Sequence, residues 1–243
     1  MDHFAYWATA EAGLAVQNPI HADKLRLIET YCGLRDGMQV LDVGCGKAWL
    51  LRDWARRIAI AGTGVERNPL FLVEARRAAQ GGPAAHRLTF VESDAAAFQP
   101  RPEGYHLTLC LGAAFALGGF DPAVDWLAAA TKPGGWAVIG DLVLRHRPMF
   151  PPDELLPHDL VSANAVATRH GLAVLAVISA SEEDFERYAC AHWHAINLWA
   201  AAHPDDPERS AWLTRARRDW DYYLEFVRPH LGWTVWLCRK AGG

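Results

Sequence analysis

Three carboxylates in the first hundred residues, Asp42, Glu66 and Asp94, each follow an apolar run, where a side chain can take a hydrogen bond or offset a positive charge. The first lies in Val40-Leu-Asp-Val-Gly-Cys-Gly-Lys-Ala48, in which two glycines follow the acid closely. Gly44 and Gly46 let the backbone turn sharply and lie against a ligand with no side chain between, and Trp49-Leu-Leu-Arg-Asp-Trp-Ala55 continues as a helix opening on the same place. A dinucleotide fingerprint wants a small residue at the sixth position and no anion beside the diphosphate. Here those places hold Trp49 and Asp42. A carboxylate at the mouth of a strand repels a diphosphate and suits an ammonium or sulfonium group, so the ligand that fits is S-adenosylmethionine.

Beyond this turn the chain resembles the class I S-adenosylmethionine-dependent methyltransferases, and the likeness runs in order through the first 145 residues. Gly62-Thr-Gly-Val-Glu-Arg-Asn-Pro69 is similar to the family's second strand, whose terminal acid takes the two ribose hydroxyls; that acid is Glu66, beside Arg67. Phe90-Val-Glu-Ser-Asp-Ala95 resembles the third-strand motif, which puts Asp94 and Ala95 at the adenine. Tyr105-His-Leu-Thr-Leu-Cys-Leu-Gly112 resembles the fourth strand, with Leu111 and Gly112 under the methionine moiety, and Thr131-Lys-Pro-Gly-Gly-Trp-Ala-Val-Ile-Gly140 the turn and fifth strand. One such motif alone is weak evidence, but four in order, each ending a predicted strand, carry weight. The resemblance implies a cofactor site of Asn18, Asp42, Gly44, Cys45, Gly46, Lys47, Glu66, Arg67, Asp94, Ala95, Leu111 and Gly112. Lys47 is expected in solvent, with reach to the methionine carboxylate. Ala48 stands where many relatives carry a third glycine and is small enough to keep a close backbone approach.

Elements that must position these residues follow from hydrophobic periodicity and its punctuation. A first helix is expected over 21–32, ended by Gly33, and a strand over 38–43. Asn68-Pro69 and Asp121-Pro122 read as cap-plus-proline starts of helices over 69–80 and 122–131, with Gly81-Gly82 and Gly134-Gly135 as their exits. Strands fall at 62–66, 88–92, 106–111, 136–143 and 172–179. A last strand over 233–239 returns antiparallel between strands 5 and 6 in the resembling fold. The fold class is therefore α/β: a doubly wound, mostly parallel seven-stranded sheet with an antiparallel last strand and a helical hairpin insertion. One domain over 1–243 is expected, with an N-terminal cap segment over 1–33 and a hairpin lid over 181–230.

Composition narrows the function classes. A net charge of -4 and an isoelectric point near 6.2 do not provide the basic face that phosphate neutralisation requires, so no nucleic acid partner is expected. Arg56-Arg57, Arg76-Arg77 and residues 215–218 fall on helices as solvated faces. The five cysteines are scattered without a C-x-x-C pair and read as reduced thiols. Neither a signal-peptide pattern nor an apolar run long enough for a bilayer is present, so a cytoplasmic enzyme without a membrane partner is expected. Homo-oligomers are compatible with the sequence, which does not specify them.

Residues 181–230 depart from a minimal core of this type. Ser181-Glu-Glu-Asp184 is a capping-box start, after which Phe185, Tyr188, Ala189, His192, Trp193, Ile196, Trp199 and Ala200 recur at helical spacing. Asp206-Pro207 opens a second helix striped by Trp212, Leu213, Ala216, Trp220, Tyr223, Leu224 and Val227. Methyl transfer is an in-line displacement that asks for alignment and exclusion of water, which a hairpin over the sheet's C-terminal edge would supply. Packing the hairpin onto the sheet is the competing role for any one of these aromatics. Aromatic faces favour an amine or N-heterocycle over a carboxylate as acceptor.

A proton acceptor is less legible: His146 and Asp141 follow strand 5, while His192, His194, Tyr222 and Tyr223 come from the hairpin, and His192 sits on the apolar stripe. His192 and His194 point to different helix faces, so no metal site is expected. Asn18-Pro19 and Leu111-Gly-Ala-Ala-Phe-Ala-Leu-Gly-Gly119 resemble a bacterial small-molecule group within the family. Relatives there often carry a polar pair where this chain has Ala114 and Phe115, which implies an altered acceptor. Substrate contacts are expected from Tyr6, Phe115, His192 and Trp193, with Phe4 and Trp7 beside Tyr6. The reading is methyl transfer to a nitrogen or oxygen of a small molecule. Protein or nucleic-acid methylation and cofactor binding without transfer are the alternatives.

Overall fold

The hydrophobic pattern closes into one sheet of order β3-β2-β1-β4-β5-β7-β6. Its strands are β1 (Gln39–Val43), β2 (Ala61–Glu66), β3 (Leu88–Glu92), β4 (Tyr105–Leu111), β5 (Thr131–Leu144), β6 (Leu172–Ser179) and β7 (Leu231–Lys240). In this computed structural model residues 2–80, 82, 85–149 and 156–242 are described. The first five strands pair in parallel, and β7 runs antiparallel to both β5 and β6. Strand order therefore reverses beside β1, where β2 and β4 flank it. That switch point is where doubly wound sheets open a crevice at the strands' C-terminal ends.

Helices α1 (His3–Ala10), α2 (Ala22–Cys32), α3 (Trp49–Arg57), α4 (Pro69–Ala79), α5 (Phe120–Ala130) and α6 (Leu160–Arg169) connect and cover these strands. Local chemistry sets several ends. Gly33 takes the left-handed conformation that closes α2, and the Asn68 side chain accepts from the Leu70 amide with Pro69 in the first turn of α4. Central β1 is buried on both faces, with Val40, Leu41 and Val43 fully enclosed, as a strand between helix layers must be.

Several boundaries differ from expectation. Helix α5 is capped at Gly119, so Asp121 sits inside its first turn, where it pairs with Arg169 and His170 instead of capping. Gly134-Gly135 is no helix exit: the chain is already extended from Thr131, and a Cβ on Gly135 would crowd Lys132 O and His106 O at about 3 Å. Gly81, the other expected exit, lies outside the described residues. The N-terminal segment, expected only as a cap, begins as α1, with Asp2 Oδ1 accepting the Phe4 and Ala5 amides.

Between β6 and β7 rise α7 (Glu182–Ala202) and α8 (Arg209–Tyr222), followed by a π-helical turn over Tyr223–Val227. The Ser181–Asp184 capping box forms as its spacing predicts, and Asp184 also holds Lys24 Nζ at 2.8 Å. Helix α8 starts at Arg209, later than Asp206-Pro207 suggests, because Asp206 turns back to accept the Glu208 amide. Trp199 stacks on Trp212 at 4.0 Å and Trp193 on Trp220 at 5.9 Å, while Tyr6 meets Trp212 edge-on. Helix α1 thus packs on the hairpin rather than hanging free. Among the described residues no helix is long and apolar enough to cross a membrane.

Candidate active site

The turn after β1 is set by backbone conformation. Gly44 and Gly46 have φ of 70° and 53°, and the amides of Gly44 and Cys45 both donate to Val65 O, which pins the turn to β2. A Cβ at Gly44 would stand 2.2 Å from that of Ala113, and one at Gly46 2.2 Å from Gln17 Oε1. Gly44 is therefore demanded by space as well as by φ, whereas at Gly46 the flexible Gln17 side chain could move and φ makes the demand. Ala48 also lies at φ 53°, the one non-glycine residue with positive φ among those described. Alanine adopts this left-handed geometry here at a cost of about 1 kcal/mol.

Two carboxylates converge on the turn. Glu66 accepts the Gly46 amide at 3.0 Å on one oxygen and the Asn68 amide at 2.8 Å on the other. Burial raises its pKa in spite of these donors. Asp42 is buried with no cation partner among the described residues, and burial, with the Glu66 charge adding, pushes its pKa up to about 8. A buried acid that prefers its proton is an electrostatic vacancy for a positive group.

Both carboxylates open onto a cavity of about 1030 Å³, which also takes in Gly44, Cys45, Gly46, Arg67, Asp94, Ala95, Leu111 and Gly112. Arg67 Nη1 lies 3.5 Å from Asp94 Oδ2, and its guanidinium is over the Phe4 ring. Asn18 Nδ2 donates to Leu111 O at 2.9 Å and thereby ties the N-terminal segment to the end of β4. Phe115 is 81% exposed and lines the opening; that exposure is incompatible with a core role. Eleven of the twelve expected cofactor residues thus meet around one space.

Lys47 is the exception. It is buried, and its Nζ donates to the carbonyls of Glu11, Ala12 and Leu14 and pairs with Glu74 at 3.1 Å. Satisfied by those carbonyls, it clamps the N-terminal loop and faces away from the cavity.

A second wall comes from α1, the loop after it and the hairpin, and it abuts the glycine turn through Gln17. Trp7 and Tyr188 come from segments whose aromatics the sequence already marks, whereas Glu11 and Gln17 escape sequence reasoning because no local pattern marks them. Glu11, 6% exposed, takes Gln17 Nε2 and the Tyr188 hydroxyl, the latter at 2.9 Å. Gln17 Oε1 in turn accepts the Lys47 amide. Burial and Glu11 raise the Tyr188 pKa well above the phenol range, so its hydroxyl serves as donor. Arg215, expected on a solvated face, turns inward over the Tyr6 and Trp7 rings at 4.6 and 5.0 Å. Trp7, Glu11, Gln17, Tyr188 and Arg215 all line the cavity.

Several expected acceptor-side residues stand elsewhere. Tyr6 is buried between Trp7, Trp212 and Arg215, and Trp193 is spent on Trp220 and Arg217. His192 is one step behind the wall: its Nε2 is 3.3 Å from Glu11 Oε1, and its ring lies 4.2 Å from that of Tyr188. His146 is exposed beyond β5, and Asp141 spends an oxygen on the Leu142 amide. Tyr223 stacks on Phe185 in a separate apolar cluster. Among the described residues no group of His, Cys, Asp and Glu is placed to hold a metal ion.

Comparison with known proteins gives this geometry a family context. Residues 40–135 match the family model described as "Methyltransferase domain". An uncharacterised protein of Escherichia coli, YjhP, is 30% identical over 97% of this chain and 98% of its own length. A Geobacter sulfurreducens S-adenosylmethionine-dependent methyltransferase, solved with S-adenosyl-L-homocysteine, superposes with a TM-score of 0.85 at 27% identity, over 96% of this chain and 97% of that one. The corresponding complex from Thiobacillus denitrificans gives 0.83 at 26% identity, over 96% of each chain.

Proposed function

The chain belongs to the class I S-adenosylmethionine-dependent methyltransferases, with S-adenosylmethionine as cofactor, and we propose that it methylates a nitrogen or oxygen of a small molecule held in the cavity between the sheet and α1. The observation that carries this reading is the cavity's two-sided lining: buried Asp42, half-buried Glu66 and exposed Asp94 at or just past the strand ends, with Phe4, Trp7 and Tyr188 on the other side. The strand-end side fits the cofactor. Unpaired Asp42 suits its positive charge, Glu66 its ribose and Asp94 its adenine amine, and the glycine cradle leaves room that any Cβ would fill. When bound, the cofactor supplies an electrophilic methyl on sulfur. The whole cavity, about 1030 Å³, stands at the upper end of the roughly 300–1,000 Å³ common for small-molecule sites.

One domain spanning the chain, with α1 and the hairpin as its cover, is the organisation this reading uses. Five unpaired cysteines agree with a reducing, cytoplasmic setting. The reading is tested by incubating the protein and labelled S-adenosylmethionine with separated pools of metabolites, proteins and nucleic acids. Label is expected in the metabolite pool; label confined to a macromolecular pool would replace it.

A further inference from the structure

Once Asp42, Glu66 and Asp94 are assigned to the cofactor, one buried carboxylate on the cavity wall has no task. Asp2, the other acid there, is occupied in capping α1. Glu11 receives only neutral donors, Gln17 Nε2 and the Tyr188 hydroxyl, and has His192 Nε2 at 3.3 Å out of hydrogen-bond alignment. A carboxylate offers about four acceptor sites, so room remains for another donor. The cations that share the cavity are engaged elsewhere: Arg67 with Asp94, and Arg215 with Asp219 and the rings of Tyr6 and Trp7. Trp7 and Tyr188 line the same cavity as Glu11, both with their rings against His192, and aromatic faces attract cations.

Resting on the reading above, we propose that the methyl acceptor is a primary or secondary amine and that Glu11 receives its N–H and takes its proton. Charge decides for nitrogen over oxygen. A hydroxyl must approach an anion before it attacks, which would place negative charge beside Glu11, Asp42 and Glu66. An amine attacks neutral and leaves cationic, a change this lining favours. The acceptor arrives as an ammonium and gives one proton to Glu11. Its nitrogen lone pair then forms the C–N bond as the C–S bond breaks, and the bond electrons remain on sulfur. The products are S-adenosylhomocysteine and a methylated ammonium. The proton leaves Glu11 through His192, whose side chain is 20% exposed and so opens a way to solvent.

The test pairs wild type with Glu11→Gln, a change that keeps the size and most contacts of the side chain. Both are given methyl-labelled S-adenosylmethionine and an equimolar panel of small primary and secondary amines, alcohols, phenols and carboxylic acids. Wild type is expected to yield labelled methylamines. Glu11→Gln is expected to make them about 100-fold or more slowly, the scale of losing a proton acceptor. With S-adenosylhomocysteine present, the amine so identified should bind the variant at least about tenfold more weakly by calorimetry, at an unchanged melting temperature. Labelled ethers or esters would overturn the acceptor class alone, and amine products made equally well by the variant would overturn the role of Glu11. No labelled product in any class would overturn the small-molecule reading itself. If Glu11→Gln melts early, Glu11→Asp, which keeps the charge, must restore amine binding for the proposal to stand.

Discussion

The two walls of the cavity are built by opposite means. On the sheet side, Asp42, Glu66 and Asp94 stand at or just past the ends of neighbouring strands, and their partners are local: the Gly46 and Asn68 amides on Glu66, and Arg67 beside Asp94, with the Val65 carbonyl pinning the glycine turn. On the far side, Glu11 meets a tyrosine 177 positions away in sequence, and both depend on α1 lying against α7. One wall is a local property of four short segments. The other exists only after the chain has folded over itself. The sheet wall should therefore govern cofactor affinity, and the far wall the fate of the acceptor.

The largest expected effect lies at Asp42, where Asp42→Asn removes the charge that answers the cofactor's. Breaking a buried pair costs about 3–5 kcal/mol, so affinity for S-adenosylmethionine should fall by roughly 100-fold or more in calorimetry. The same change should stabilise the unliganded protein at alkaline pH. Because the folded pKa of Asp42 is raised to about 8, the stability its carboxyl contributes is complete in acid and is lost as pH rises through that value. Melting curves should show the variant's advantage growing between about pH 5 and pH 9; equal curves at both ends would mean Asp42 is not desolvated.

A second consequence is the pH dependence of binding itself. Below about pH 8 a proton must leave Asp42 before a cation can pair with it, so wild-type affinity should rise by up to about tenfold per unit as pH approaches 8 and then level off. That dependence should vanish in Asp42→Asn. A flat wild-type profile would assign the positive group of the cofactor to a different partner.

Phe115 sharpens the contrast from the opening of the cavity. At 81% exposure its removal should cost no more than about 0.5 kcal/mol of stability, while Phe115→Ala raises the acceptor Michaelis constant several-fold or widens the acceptor range. Kinetics identical to wild type would remove it from the acceptor path. The smallest effect is expected at Ala48→Gly, which relieves a left-handed alanine and should stabilise the protein by about 1 kcal/mol without altering cofactor affinity. A destabilised variant would show that the turn holds its alanine without strain.

This contrast also explains what could be read before the fold was known. Strand ends, the glycine turn, the Asn68-Pro69 cap and the Ser181–Asp184 box are short-range chemistry, and each forms where its spacing places it. Lys47 and Arg215 show where such reasoning stops. A lone lysine and an arginine in a charged run both read as solvent-facing, yet Lys47 is held by three backbone carbonyls and Arg215 lies over two aromatic rings. Tyr6 and Trp193 fail as pocket residues for the same reason: an aromatic stripe marks a buried face without saying whether a helix or a ligand will cover it. Glu11 carries no local mark at all, since its partners Gln17, Tyr188 and His192 converge through tertiary packing.

The division between the walls is tested most directly by titrating S-adenosylmethionine calorimetrically into wild type, Glu66→Ala and Glu11→Gln side by side. Lost hydrogen bonds to a charged acceptor cost about 1.5–3 kcal/mol each, so Glu66→Ala should bind at least about tenfold more weakly. Glu11→Gln should stay within about twofold of wild type, a difference of under roughly half a kcal/mol. If Glu11→Gln instead loses as much affinity as Glu66→Ala, the far wall holds the cofactor too, and the assignment of separate tasks to the two walls is wrong.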